Sequence, residues 1–87
     1  SIRRRENTDR IVAKRFELMD ETLQLLTKSD QIRELITAMD KKIESAKKPV
    51  PQYKKWRAWA EHQANSIDPR NMSVKRAGRW VEKFEFQ

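Results

Sequence analysis

From Ile11 onward the apolar residues fall at Val12, Phe16, Met19, Leu23 and Leu26, separated by four, three, four and three positions. That is a 3.5-residue seam of the coiled-coil kind, and Ile11, Leu18 and Leu25 widen it into a stripe. The spacing predicts a helix from about residue 7 to 26, which the good helix formers Arg3, Arg4, Arg5 and Glu6 can extend as a charged N-terminal arm. The pattern then breaks at Thr27-Lys28-Ser29-Asp30, where Ser29 offers an N-cap oxygen and Asp30 a first-turn carboxylate. A second helix is predicted from there to about Ala46, with the stripe Ile32, Leu35, Ile36, Met39 and Ile43. So short a connection leaves two arrangements, an antiparallel hairpin or one bent helix. The hairpin is the expectation.

Lys47, Lys48, Pro49, Val50 and Pro51 read as a basic linker, because each proline lacks an N–H and holds its predecessor extended. Tyr53, Trp56, Ala60, Gln63 or Ala64, and Ile67, widened by Trp59, then predict a third helix that stops near Asp68-Pro69. In the tail, Ser73 is placed to cap a short helix bearing Val74, Ala77, Val81 and Phe84, with Trp80 beside them. The alternation of Trp80, Glu82, Phe84 and Phe86 offers an extended segment instead. The fold class expected is all-α: a small three- to four-helix assembly, an antiparallel helical hairpin plus a Trp-rich third helix. The organisation expected is a charged arm at 1–10, a helical domain at 11–69 and a C-terminal segment at 70–87.

Composition narrows the function classes. The chain has 87 residues, enough for one thin-cored domain, since near this length roughly 60 to 65% of the unfolded surface is buried. Charged residues make up 38% and hydrophobic ones 37%, the balance of helices with wet faces rather than of a globule closed on all sides. One glycine and three prolines are too few for the frequent turns of a β-sandwich, and that single glycine leaves no phosphate-cradling loop. The absence of cysteine removes disulfides and thiol chemistry and points to a reducing, cytoplasmic setting. No apolar run reaches the ~18 residues of a membrane span, and no signal peptide stands out. The opening charged stretch reads as part of a larger protein.

The net charge is +7 and unevenly spread. Residues 1–15 hold six basic and two acidic side chains, residues 16–46 four and seven, and residues 47–87 ten and four. The cationic ends suit either contact with the anionic middle or a polyanion. Arg3, Arg4, Arg5, Lys54, Lys55, Arg57, Arg76 and Arg79 are the candidate nucleic-acid contacts. No helix-turn-helix or zinc module accompanies them, so a nucleic acid would be bound by its backbone rather than by its bases.

Enzymatic chemistry has little to stand on. His62 alone could titrate near neutrality, and no second histidine, cysteine or nucleophile pairs with it. No metal or cofactor is expected, and the acidic residues read as solvated helix faces. The reading that remains is a non-enzymatic protein-interaction or oligomerisation module. Its seam would be Val12, Phe16, Met19, Leu23 and Leu26, and its exposed anchors Trp59 and Trp80.

The segment from Lys28 to Met39, with Ile32-Arg33 and Ile36 to Met39, and that from Trp56 to Pro69, with Trp56, Trp59-Ala60, Ala64-Asn65 and Asp68-Pro69, carry a resemblance. Together they resemble the C-terminal region of a widespread group of uncharacterised bacterial proteins, in which an Ile-Arg-x-x-Ile segment precedes a Trp-x-x-Trp-Ala…Asp-Pro segment. The likeness covers about half of the chain and departs from the group at Asn65, where aspartate is usual, and after Pro69. It implies a bacterial source and a C-terminal module behind a long helix, and it brings no activity with it.

Overall fold

A computed structural model describes the backbone of residues 2–87 and the side chains from Glu6 onward. The order of elements is α1 (Ile2–Glu44), α2 (Tyr53–Ile67), a 3-10 turn (Pro69–Asn71) and α3 (Val74–Glu82), with no strand among the described residues. The protein is therefore all-α. Its first element runs 43 residues without interruption.

That continuity corrects the hairpin expected between residues 7–26 and 30–46. No turn forms at Thr27–Asp30, because nothing there compels one. The segment contains neither proline nor glycine, and its residues fall short of alanine by only tenths of a kcal/mol each in helix propensity, roughly 0.7 at most. Ser29 does not cap a new helix. Its hydroxyl donates back to the Leu26 carbonyl at 2.8 Å, which satisfies the side chain within the helix. The chain leaves α1 only at Ser45, where Pro49 and Pro51 follow in the connection to α2.

Two compact units divide the chain. One, Leu25–Asn71, pairs the second part of α1 with α2 and the 3-10 turn. Its pairs read in opposite directions along the two helices: Asp40 with Tyr53 and Arg57, Arg33 with Asn65 and Asp68, Asp30 with Arg70. These two segments thus run antiparallel. Buried within the unit are Ile36 and the small residues Ser29, Ala60 and Ala64, with Ser29 and Ala64 fully so. Small side chains at such positions let helix backbones approach closely, as alanine and serine permit and leucine would not.

Asp68 ends α2 and starts the next turn. Its N–H donates to the Ala64 carbonyl, and its own carboxylate accepts from the Arg70 backbone N–H at 3.0 Å, with Pro69 in the first turn position. The Arg70 guanidinium holds this carboxylate well below the usual carboxylate range, against the opposing effect of burial; the Arg70 N–H and Arg33 add to it. Arg57, and after it Tyr53, lowers Asp40 in the same way.

The other unit joins α1 up to Gln24 with Met72–Gln87. Ser73, in extended conformation, accepts from the Arg76 N–H at 3.1 Å and so starts α3. The Trp80 indole N–H donates to Thr22 at 2.9 Å, and its ring meets Phe84 edge-on at 4.9 Å. Among the described residues, Phe84 is the one apolar side chain of this unit that is buried. Its core is thin.

Candidate interaction surface

Thirteen positions of α1 set the geometry of the thin-cored unit, from Val12 to Gln24. On the face that serves the unit's own fold lie Arg15, Leu18 and Thr22, all half-buried. Thr22 donates to the Leu18 carbonyl while it accepts from Trp80. One residue further round the helix lies the apolar seam, and it is open: Val12, Phe16, Met19 and Leu23 are between 41% and 66% exposed. Leu26, the last member expected, falls in the other unit and is half-buried there. Two stripes with the same 3.5-residue period thus lie side by side. The chain folds on the more polar one and leaves the more apolar one bare.

Arg15 builds the wall beside that bare stripe. Its guanidinium donates through Nε to the Phe84 carbonyl at 2.8 Å and through Nη2 to the Glu85 carbonyl at 3.3 Å, supplying donors to acceptors just past the end of α3. Lys14 pairs with the Glu85 carboxylate at 2.9 Å, which draws that acid below its ordinary value. Glu85 adopts φ 58°, the left-handed conformation common at helix C-termini and costly for a residue other than glycine. This turn lays the Phe86 ring under Arg15, with the guanidinium carbon 4.0 Å from the ring centre. Phe86 remains 70% exposed. Val12, Arg15, Phe16, Met19, Phe84 and Phe86 then line an apolar groove of about 350 Å³.

The expected anchors separate. Trp59 is 60% exposed on α2, in the other unit. Trp80 is not such an anchor: it is half-buried, with its N–H engaged by Thr22 and its ring against Phe84, so it belongs to the thin core. Sequence reasoning missed Phe86 and Arg15 as surface builders. The tail's alternation did hint at Phe86, whereas nothing in the sequence announces that Arg15 reaches residues 69 and 70 positions away.

The basic candidates separate likewise. Arg57 is held by Asp40 and Glu61. Lys54 and Lys55 are exposed on α2, while Arg76 and Arg79 meet Lys83 around a shallow depression on α3. Arg3, Arg4 and Arg5 lie outside the residues whose side chains are described. His62 is exposed, no group of three or more metal-ligating side chains occurs among the described residues, and none of their helices is long and apolar enough to cross a membrane. Comparison with protein-family models, with curated proteins and with solved structures returns no match.

Proposed function

We propose that this chain is a non-enzymatic helical interaction module that associates with a second copy of itself through the seam Val12, Phe16, Met19 and Leu23. One observation carries the reading. A helix that already has a stripe committed to its own fold keeps a second, more apolar stripe in water, flanked by Phe86, in a unit with a single buried apolar residue among those described. Contiguous exposed apolar surface of this kind marks interaction sites on small soluble proteins. A heptad seam is also self-complementary. In a parallel pairing Arg15 would face Asp20 of the second copy on the flanking positions, where opposite charges favour that orientation.

The resemblance to the bacterial group supports a module set behind a long helix, and a bacterial cytoplasmic protein is the setting that we propose for it. The deciding experiment is sedimentation equilibrium of the chain across protein concentration. The mass should rise from that of one chain, 10.5 kDa, toward twice that value, with little dependence on salt. Leu23→Glu should remain at the mass of one chain throughout. A wild-type chain that stays monomeric at every concentration would overturn the reading.

A further inference from the structure

On α3 a different surface is arranged, independent of the seam. The face of this helix turned to its unit's core carries Ala77 and Trp80, both half-buried, and the buried Phe84 follows in the turn after it. On one flank of that face stand Arg76, Arg79 and Lys83, at i, i+3 and i+7, which one helix face brings together. With Met72 and Trp80 they line a depression of about 280 Å³. None of its lining residues is acidic, and none of the three cations has an ion-pair partner among the described residues.

This sets them apart from Lys14, Arg33, Arg57 and Arg70, whose charge is consumed by Glu85, Asp30, Asp68, Asp40 and Glu61. Glu82, the one acid on α3 itself, falls outside the depression. Keeping three like charges together without a counter-charge raises the free energy of the chain alone. A polyanion would relieve that cost.

We infer that Arg76, Arg79 and Lys83 form a binding face for the phosphate backbone of a nucleic acid. The seven-residue interval from Arg76 to Lys83 spans about 10 Å at the ~1.5 Å rise of a helix, close to three nucleotide steps at the ~3.4 Å axial rise of each strand of a duplex, when the helix lies along the duplex axis. Two of the three cations are arginines, whose planar donors suit phosphate oxygens in pairs. A lipid surface fits less well. An interfacial helix sets its cations at the edges of an apolar face, whereas the exposed Val74 and Val81 lie about half a turn of helix away from Arg76 and Arg79. Affinity comes from the phosphates, so sequence preference is not expected.

The test is fluorescence anisotropy of a labelled DNA duplex of arbitrary sequence, titrated with the whole chain over a range of salt concentrations. Three phosphate contacts give a slope of log affinity against log salt near about −2.7. The double substitution Arg76→Ala and Arg79→Ala should remove about 1.8 of that slope, and alanine at both positions keeps α3 helical by circular dichroism. Replacing the same two residues by lysine should restore the slope, and Lys54→Ala with Lys55→Ala should leave it unchanged. Leu23→Glu should leave it unchanged too, which separates this inference from self-association. The inference is overturned if the Arg76/Arg79 double variant binds with the wild-type slope, or if the Lys54/Lys55 variant loses as much. It is also overturned if polyglutamate or phosphatidylserine vesicles compete better than unlabelled duplex at equal charge.

Discussion

The two units solve the problem of a short, highly charged chain in different ways. The unit of Leu25–Asn71 closes: Asp68 is only 6% exposed and accepts from Arg33 and Arg70, and a second cluster joins Asp40 to Tyr53 and Arg57. Small residues lie in its interior, and Arg33, Arg57 and Arg70 answer Asp30, Asp40, Glu61 and Asp68 across and along its helices. The unit of α1 up to Gln24 with Met72–Gln87 stays open, with Phe84 as the buried apolar side chain among its described residues, a bare apolar seam on one side and unanswered cations on another. The difference teaches where function resides. Interactions satisfied inside the chain account for structure, and those left over are the ones available to partners.

Overfilling the closed unit should give the largest effect. Ala64→Leu places three extra carbons at a fully buried position. It should cost about 3 kcal/mol, the upper part of the overpacking range, read as a lower midpoint in urea unfolding and as faster hydrogen exchange along α2.

Acid should come next, and it too should strike the closed unit first. The Asp68 carboxylate, held below its ordinary value of 3.8 chiefly by Arg70, contributes stability that is fully present above that value and is lost as pH falls from there toward the lower folded value. Asp40 acts with the same sign through Arg57. Amide exchange measured at decreasing pH, corrected for the intrinsic rate, should show α2 losing protection below about pH 4. Asp68→Asn should lose most of that pH dependence.

The smallest effect on stability should come from the open seam. Leu23 is already half in water, so Leu23→Glu should change the unfolding free energy of the isolated chain by no more than about 0.5 kcal/mol. The same substitution should abolish association. A residue that matters for assembly and hardly for folding is the signature of a surface left for a partner.

Much of this was legible in the sequence, and the omissions have physical causes. The helical character of almost every segment, the linker around Pro49 and Pro51 and the cap at Ser73 follow from local chemistry that acts within a few residues. The false turn at Ser29 arose because serine followed by aspartate looks the same whether its hydroxyl caps forward or bonds back to Leu26. The stripe on which α1 folds was hidden for a different reason. It contains Arg15, Thr22 and Ser29, polar residues whose needs are met by Phe84, Trp80 and Leu26, so a search for apolar periodicity finds the bare seam beside it instead. The ion pairs of Arg33 with Asp68 and of Arg57 with Asp40 join residues far apart along the chain, and sequence carries no distances.

The central claim is that the seam is open in the single chain and covered when chains associate. The chain has no cysteine, so one introduced thiol reports on one place only. The most direct measurement is the rate at which a thiol reagent alkylates Met19→Cys across protein concentration, beside Leu35→Cys as an exposed reference in the closed unit. The account predicts that Met19→Cys reacts as fast as the reference in dilute solution and slows as the mass rises, while Leu35→Cys does not slow. A Met19→Cys rate that stays constant while the mass doubles would contradict it, because the chains would then be meeting through some other surface.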